Sequence, residues 1–187
     1  MHNQQTRQSV LESRRLSGEV HSQVCLRLRP PLTQFIFRGG AEAASKAEAA
    51  FGLSLPRQVC RAAQLHDRSA LWLGPDEWLL FAPEELEDML TDSFGDSLGD
   101  TGHALVSVGH RNVLIEVEGN RAERLLNSGC PLDLDETVFP IGMCTRTAYA
   151  KTQIILWRTD TKSFTLFVWR SFATYLWDSL LEARERL

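Results

Sequence analysis

The chain has 187 residues, of which 43% are hydrophobic and 24% are charged, and its formal net charge is −4. This balance is typical of one globular domain of ordinary size, or of two small halves that share a core. The acidic balance argues against a nucleic-acid-binding face, and we predict neither a transmembrane helix nor a secretory signal, so we expect a cytoplasmic protein that binds no membrane.

The N-terminal part divides into a polar arm and the start of a domain. Residues 1–23 are polar with isolated apolar positions, and we expect them to lie on a partner because they cannot bury enough surface to order alone. The domain is predicted to span residues 24–187. It begins with the strand TQFIFRGG and the helix AEAASKAEAAFG, for which Gly52 is a suitable C-terminal cap.

A hairpin and a second helix follow. SALWLGPDEWLLFAP predicts two strands around a turn at residues 74–77, where Pro75 presets the backbone. The helix is predicted to start at Pro83, with two glutamates in a first turn that favours negative charge. Its apolar face is predicted from the helical spacing of Leu86, Met89, Leu90 and Phe94.

The second half shows similar elements. HALVSVGH and RNVLIEVEG predict strands, and the short helix RAERLLNS is predicted to be capped by Asn120 and ended by Gly129. TQIILWRTD and KSFTLFVW predict a hairpin, and Ser171 is predicted to cap the last helix. The apolar stripe of that helix is predicted to be Phe172, Tyr175, Leu176, Leu180, Ala183 and Leu187.

The two halves have the same predicted order of elements, βαββα, with Gly39 in the first half corresponding to Gly119 in the second. We therefore predict an α+β fold made of two pseudo-repeated units that pack together. The half-repeats are predicted at about residues 24–103 and 104–187.

The loop NSGCPLDLDETVFPIGMCTRT contains two of the four cysteines, which are Cys25, Cys60, Cys130 and Cys144. No CxxC pair is present, whereas zinc sites usually bring ligands in closely spaced pairs. We therefore expect free thiols in a reducing cytoplasm, and no metal ligands. The matching loop of the first half, FGLSLP, has no cysteine, so we interpret the second loop as part of the scaffold and not as an active site.

Several motifs in order resemble the gamma subunit family of heterotetrameric sarcosine oxidases: ALWLGPDEWLL, VGHRNVLIEVEG, GCPLDL, FPIGMCTRT and IILWR…FTLFVWRSFATYLWDSLLEA. The resemblance runs from about residue 30 to the C-terminus. That family is in turn similar to the folate-binding domain of the glycine-cleavage aminomethyltransferases. In this chain EGNRAERLLNSGCPLDL occupies the place of the segment that precedes the folate-site hairpin.

The resemblance implies a subunit of a flavoenzyme that demethylates sarcosine to glycine, with hydrogen peroxide and either formaldehyde or 5,10-methylenetetrahydrofolate as further products. It implies alpha, beta and delta subunits as partners, with alpha as the direct contact. FAD, FMN, NAD, zinc and tetrahydrofolate are expected in those other subunits and none in this chain. It also implies an assembly role without catalytic, cofactor-binding or metal-binding residues.

The residues themselves agree with the expectation that this chain has no cofactor-binding or catalytic site. No G-x-G-x-x-G turn is present for a dinucleotide pyrophosphate. In the folate transferases an aspartate on the first hairpin strand serves the reaction, and alignment to that family puts Thr152 or Gln153 at its position. Neither side chain can act as a general base near neutral pH.

Two groups of polar residues could suggest an active or binding site, and the first of them remains a candidate. His110, Arg111 and Asn112 begin a predicted strand, where they either line a site or form a polar turn against a neighbouring loop or subunit. A triad of Ser107, His110 and Asp100 is not expected, because no G-x-S-x-G elbow surrounds the serine.

Tryptophans and arginines leave further alternatives open. Either ordinary packing or a subunit interface accounts for Trp72, Trp78, Trp157, Trp169 and Trp177. Either carboxylates of a partner or surface pairs within the chain account for Arg146, Arg158 and Arg170.

Two other functions compete with the gamma-subunit interpretation. The first is a stand-alone tetrahydrofolate-binding, aminomethyltransferase-like protein, against which the missing aspartate counts. The second is a binding module of the related iron–sulphur maintenance type, whose Lys-Gly-Cys-Tyr-x-Gly-Gln motif does not match the neighbours of Cys144.

Overall fold

Two antiparallel sheets of five strands each form the part of the chain that the computed structural model describes, Leu11 and residues 23–187. The first sheet, in the order β3-β4-β5-β2-β6, contains β2 (Leu32–Gly39), β3 (Ala62–Leu65), β4 (Arg68–Gly74), β5 (Glu77–Pro83) and β6 (His103–Ser107). The second sheet, in the order β1-β7-β10-β9-β8, contains β1 (Cys25–Leu28), β7 (Asn112–Glu118), β8 (Cys144–Tyr149), β9 (Thr152–Asp160) and β10 (Ser163–Trp169).

Four α-helices cover the outer faces of these sheets. Helices α1 (Ala41–Phe51) and α2 (Glu87–Leu98) share an apolar cluster with the first sheet. Helices α3 (Ala122–Asn127) and α4 (Ala173–Glu185) do so with the second sheet. A third cluster lies between the sheets, where the ring of Phe81 is 5.2 Å from that of Phe167. The layers are therefore helix, sheet, sheet, helix.

Two local signals in the first half are confirmed, whereas the helix predicted to start at Pro83 begins after it, as a 3-10 turn over Glu84–Leu86 that leads into α2 at Glu87. Helix α1 ends where Gly52 adopts φ 69°, a left-handed conformation that costs glycine little. The turn between β4 and β5 lies at the predicted place. Of the predicted polar arm, Leu11 is buried in the core beside the second sheet, and the other residues before Gln23 lie outside the described part.

The internal repeat appears in the order of the strands. Reading the first sheet as β6-β2-β5-β4-β3 gives the same arrangement as β1-β7-β10-β9-β8 in the second. The α+β class is confirmed. Each sheet has two strands more than the three of the predicted βαββα order: β3 or β8 at one edge and β6 or β1 at the other. The partly exposed residues of β3 and β8 give a weak apolar pattern.

Each half of the chain contributes one strand to the sheet that is formed mainly by the other half. β1, near the N-terminus, pairs with β7 of the second sheet. β6 pairs with β2 of the first sheet. The predicted division near residue 103 stays a prediction. In the described sheets the two units exchange one strand each, β1 and β6.

The two predicted N-caps in the second half are wrong. Helix α3 follows Arg121 and α4 follows Phe172, each without a side-chain cap. Tight turns replace the caps: the Ala122 amide donates to the Gly119 carbonyl at 3.1 Å, and a 3-10 turn over Arg170–Phe172 leads into α4. Such 3-10-type hydrogen bonds, which join residues three apart, satisfy backbone amides that a capping side chain would otherwise satisfy. Neither Asn120 nor Ser171 is therefore needed at the helix starts.

The predicted apolar stripes also need correction. On α4 the buried face contains Leu176, Trp177 and Leu180, whereas Phe172 and Tyr175 are exposed. On α2 Met89 is 47% exposed, and Leu98 is buried although it was not predicted. On α4 several rotations fit the aromatic-rich sequence equally well, whereas on α2 Leu90 and Phe94 of the predicted stripe are buried and the stripe continues to Leu98. No helix among the described residues is long and apolar enough to cross a membrane.

Candidate functional site: the cleft between the two sheets

A cleft of about 630 Å³ opens between the inner faces of the two sheets. Its volume lies in the range of roughly 300–1,000 Å³ that is usual for ligand pockets. Its walls combine apolar and polar side chains from both sheets: Ile36, Glu77, Val106, Val108, Arg111, Asn112, Arg146, Thr147, Ala148, Gln153, Ile154, Ile155, Phe167 and Trp169.

Among the described residues that line this cleft, the one carboxylate is engaged within the chain. Glu77 accepts hydrogen bonds from the guanidinium of Arg146, which also donates to the Leu73 carbonyl at 3.1 Å. Arg146 lies on β8 of the second sheet and Glu77 on β5 of the first, so the pair joins the two sheets. Of the two predicted alternatives for Arg146, the structure shows pairing within the chain.

The polar group His110–Asn112 contributes two residues to the cleft. The Arg111 guanidinium lies 4.5 Å from the centre of the Trp169 ring, a cation–π contact. The Asn112 side chain donates to Gln34 Oε1 at 3.1 Å and so connects β7 to β2, while His110 is exposed. The turn therefore contacts strand β2, where one predicted role named a loop or a subunit, while Arg111 and Asn112 line the cleft.

The other sequence candidates for chemistry have the following surroundings. Ser107 Oγ donates to Glu87 Oε1 at 2.8 Å, so its hydroxyl serves helix α2. Thr152 is buried and Gln153 is an exposed residue of the cleft wall. The position predicted to correspond to the transferase aspartate thus presents an amide or a hydroxyl, which cannot accept a proton near neutral pH.

Most cleft residues were not predicted as such, and Glu77 and Val106 are two examples. Glu77 had an available signal, since a carboxylate directly after a hairpin turn is well placed to meet another sheet. Val106 had none, because its strand shows ordinary alternation and the alternation does not reveal where the opposite sheet ends.

Comparison with known proteins identifies the family. A model described as the sarcosine oxidase gamma subunit family matches residues 38–185. The chain belongs to the sarcosine oxidase gamma subunit family. The resemblance seen in the sequence motifs is therefore confirmed.

Individual relatives agree with this membership. The chain is 35% identical over 137 residues to the sarcosine oxidase subunit gamma of Corynebacterium sp. strain P-1, a match that covers 72% of this chain and 66% of that subunit. It superposes with TM-score 0.89 on a chain of the heterotetrameric sarcosine oxidase of Corynebacterium sp. U-96. That match has 28% identity and covers 97% of this chain and 96% of the other.

A more distant structure shares the fold alone. The aminomethyltransferase T of the glycine cleavage system from Bartonella henselae gives TM-score 0.66 at 11% identity, covering 85% of this chain and 45% of that one. The predicted similarity to the folate-binding aminomethyltransferase fold is confirmed by this match.

The family loop at residues 127–147 is anchored by a buried arginine. Arg158 is completely buried and donates to the carbonyls of Leu134 at 2.8 Å and Phe139 at 3.1 Å. Its guanidinium also donates to the Thr161 carbonyl and pairs with the carboxylate of Glu123. The prediction of Arg158 as a surface or partner contact is wrong. Arg170, by contrast, is exposed.

The cysteines of this loop are buried among core residues. Cys130 Sγ lies 3.9 Å from Thr147 Oγ1, and Cys144 Sγ donates to the Trp72 carbonyl at 3.6 Å. All four cysteines, which lie within the described residues, are free thiols. Among those residues no group of three or more His, Cys, Asp or Glu is arranged to hold a metal ion.

We expect the Cys144 thiol to resist alkylation in the folded protein. Burial raises its pKa from 9.0 to about 12, so almost no nucleophilic thiolate forms at pH 8. Only the unfolded chain ionises this thiol between those values, so the free energy of unfolding should fall as pH rises from about 9 toward 12.

Peptide mass mapping after iodoacetamide treatment at pH 8 measures the alkylation of Cys144, with the partly exposed Cys25 and Cys60 as internal references. Cys144 should be modified only after unfolding in urea. Modification of Cys144 in the folded protein at the rate of Cys60 would contradict the expectation.

Proposed function

We propose that this chain is the gamma subunit of a heterotetrameric sarcosine oxidase, which demethylates sarcosine to glycine with hydrogen peroxide and formaldehyde or 5,10-methylenetetrahydrofolate. The observation that carries this function is the end-to-end superposition, with TM-score 0.89, on a chain of the Corynebacterium sp. U-96 oxidase. The alpha, beta and delta subunits are its proposed partners in the cytoplasm, with alpha as the direct contact.

The proposed role of the chain is assembly, without an active site of its own. Two observations support it. Among the described residues of the cleft the one carboxylate is already paired with Arg146, and burial raises the pKa of the Cys144 thiol to about 12, so it forms even less thiolate near pH 7 than an ordinary cysteine. FAD, FMN, NAD, zinc and tetrahydrofolate are accordingly proposed to bind the other subunits.

Co-expression of the chain with alpha, beta and delta subunits, with an affinity tag on alpha, tests this function. The four chains should co-purify in equal amounts by intact mass and densitometry, and the complex should form hydrogen peroxide when sarcosine is added. The isolated chain should form none. Failure of the chain to co-purify with tagged alpha would contradict the proposed subunit role.

A tetrahydrofolate-binding, transferase-like protein is the alternative, and the shared fold with the Bartonella henselae aminomethyltransferase favours it. Titration calorimetry of the isolated chain with tetrahydrofolate separates the two functions. A gamma subunit without its own site should give no heat of binding at high micromolar protein, whereas saturable binding would favour the alternative.

A further inference from the structure

Large apolar side chains are exposed around the mouth of the cleft. Val106 is 55% exposed, Trp169 44% and Phe172 43%. Trp169 lines both the cleft and a second hollow of about 190 Å³, which is formed with Lys151, Thr152, Gln153 and Phe172. The cleft and the hollow are therefore neighbours along one surface, with the indole between them.

These residues occupy positions that elsewhere form the core between the sheets. Phe167 and Trp169 lie two residues apart on β10 and so point to the same face. Phe167 is buried against Phe81, whereas Trp169 is open to solvent. Val106 likewise pairs with Ile36 of β2 and faces the cleft. The inter-sheet core is thus uncovered at this end.

The same surface is positively charged on an acidic chain. Of the described residues that line the cleft, Arg111 and Arg146 are cations and Glu77 is the one carboxylate, which leaves a net positive charge among them. Lys151 adds a cation at the second hollow. The whole chain has a formal net charge of −4, so this local excess of cations favours an acidic occupant.

Arg111 and Trp169 have the character of an interface anchor. Tryptophan and arginine are enriched among residues whose truncation costs most at protein interfaces. The guanidinium stacked on the indole holds the ring in one orientation, so less side-chain freedom is lost when a partner covers it.

We propose that this surface, defined by Val106, Arg111, Lys151, Trp169 and Phe172 and named the cleft-mouth surface, docks a segment of the alpha subunit of the oxidase. The segment carries an apolar or aromatic side chain that enters the cleft beside Trp169, and carboxylates that pair with Arg111 and Lys151. This inference rests on the proposed subunit role and specifies which face of the chain fulfils it.

Co-purification of variants with alpha, beta and delta subunits tests the docking surface. Trp169→Asp and Arg111→Glu should each reduce the amount of this chain recovered with tagged alpha by about tenfold or more. Met89→Asp is the matched control, because Met89 is 47% exposed and lies on α2 outside the cleft lining. It should assemble like the unaltered chain.

Thermal unfolding of each isolated variant reports whether it remains folded. A folded Trp169→Asp variant that assembles at the level of the unaltered chain would overturn the docking surface while leaving the subunit role intact. Absence of the unaltered chain from the complex would overturn both.

Hydroxyl-radical footprinting of the unaltered protein avoids any folding defect of the variants. Trp169 and Phe172 should be oxidised at least several-fold more slowly in the four-subunit complex than in the isolated chain, with Met89 unchanged. Equal oxidation in both states would exclude docking at this surface. Protection already present in a dimeric isolated chain would instead assign the surface to a second copy of the chain.

Discussion

Replacement of Arg158 by methionine is expected to lower the free energy of unfolding by about 3 to 5 kcal/mol. The guanidinium is completely buried and donates to four backbone carbonyls, those of Leu134, Phe139, Asp160 and Thr161. Methionine fills much of the volume but donates nothing, so those carbonyls lose their partner inside the protein. The Glu123 carboxylate, 39% exposed, can turn to water and adds less to the cost.

The matched control is Arg146→Met. Arg146 also pairs with a glutamate, but its side chain is 49% exposed, so water can replace the lost contacts. We expect a loss of about 1 kcal/mol or less. Urea unfolding followed by tryptophan fluorescence measures both variants, and equal losses at the two positions would contradict a special role for the buried arginine.

The burial of Arg158 shows what local sequence pattern cannot supply. Its carbonyl partners at Leu134 and Phe139 lie 24 and 19 residues earlier in the chain. Nothing in TQIILWRTD indicates that a loop so far away folds over the strand. The expectation that the loop at residues 127–147 is part of the scaffold agrees with this arrangement, but the group that holds the loop became visible only in the structure.

Elements with strong local signals were predictable, and elements defined by tertiary contacts were not. Helix α1 and the β4–β5 hairpin follow from alanine content, Gly52 and the turn around Pro75. The edge strands β3 and β8 are held by pairing with their neighbours, and pairing leaves little trace in short, partly exposed segments.

The same distinction applies to the cleft. No cleft was predicted: Gln153 was named only as a position where the transferase aspartate is missing, and Arg111 belonged to a polar motif with two open roles. The exposure of Trp169 was not predicted either, because alternation assigns a residue to a face of the sheet without showing whether the opposite sheet extends over it. The tryptophans were therefore predicted either to pack in the core or to lie at a subunit interface. Trp78, Trp157 and Trp177 are buried, and Trp169 is exposed.

Replacement of Gly119 by alanine is the second change with a large expected effect. Gly119 follows β7 with φ 143°, a conformation that side chains rarely adopt. A Cβ there would lie 2.2 Å from the Gln23 carbonyl oxygen and 2.9 Å from Val24 Cα. Since these are backbone atoms next to β1, the strand must shift away from β7.

We expect Gly119→Ala to lower the free energy of unfolding by about 3 kcal/mol, the combined cost of backbone strain and overpacking. The control is Gly95→Ala in helix α2, where a Cβ meets nothing within 4 Å and alanine should stabilise by up to about 1 kcal/mol. Urea unfolding gives both values, and hydrogen exchange at β1 should accelerate in the first variant alone. A Gly119→Ala protein as stable as the unaltered chain would show that β1 can leave its place beside β7 without cost, and the strand shared between the two units would then contribute little to the fold.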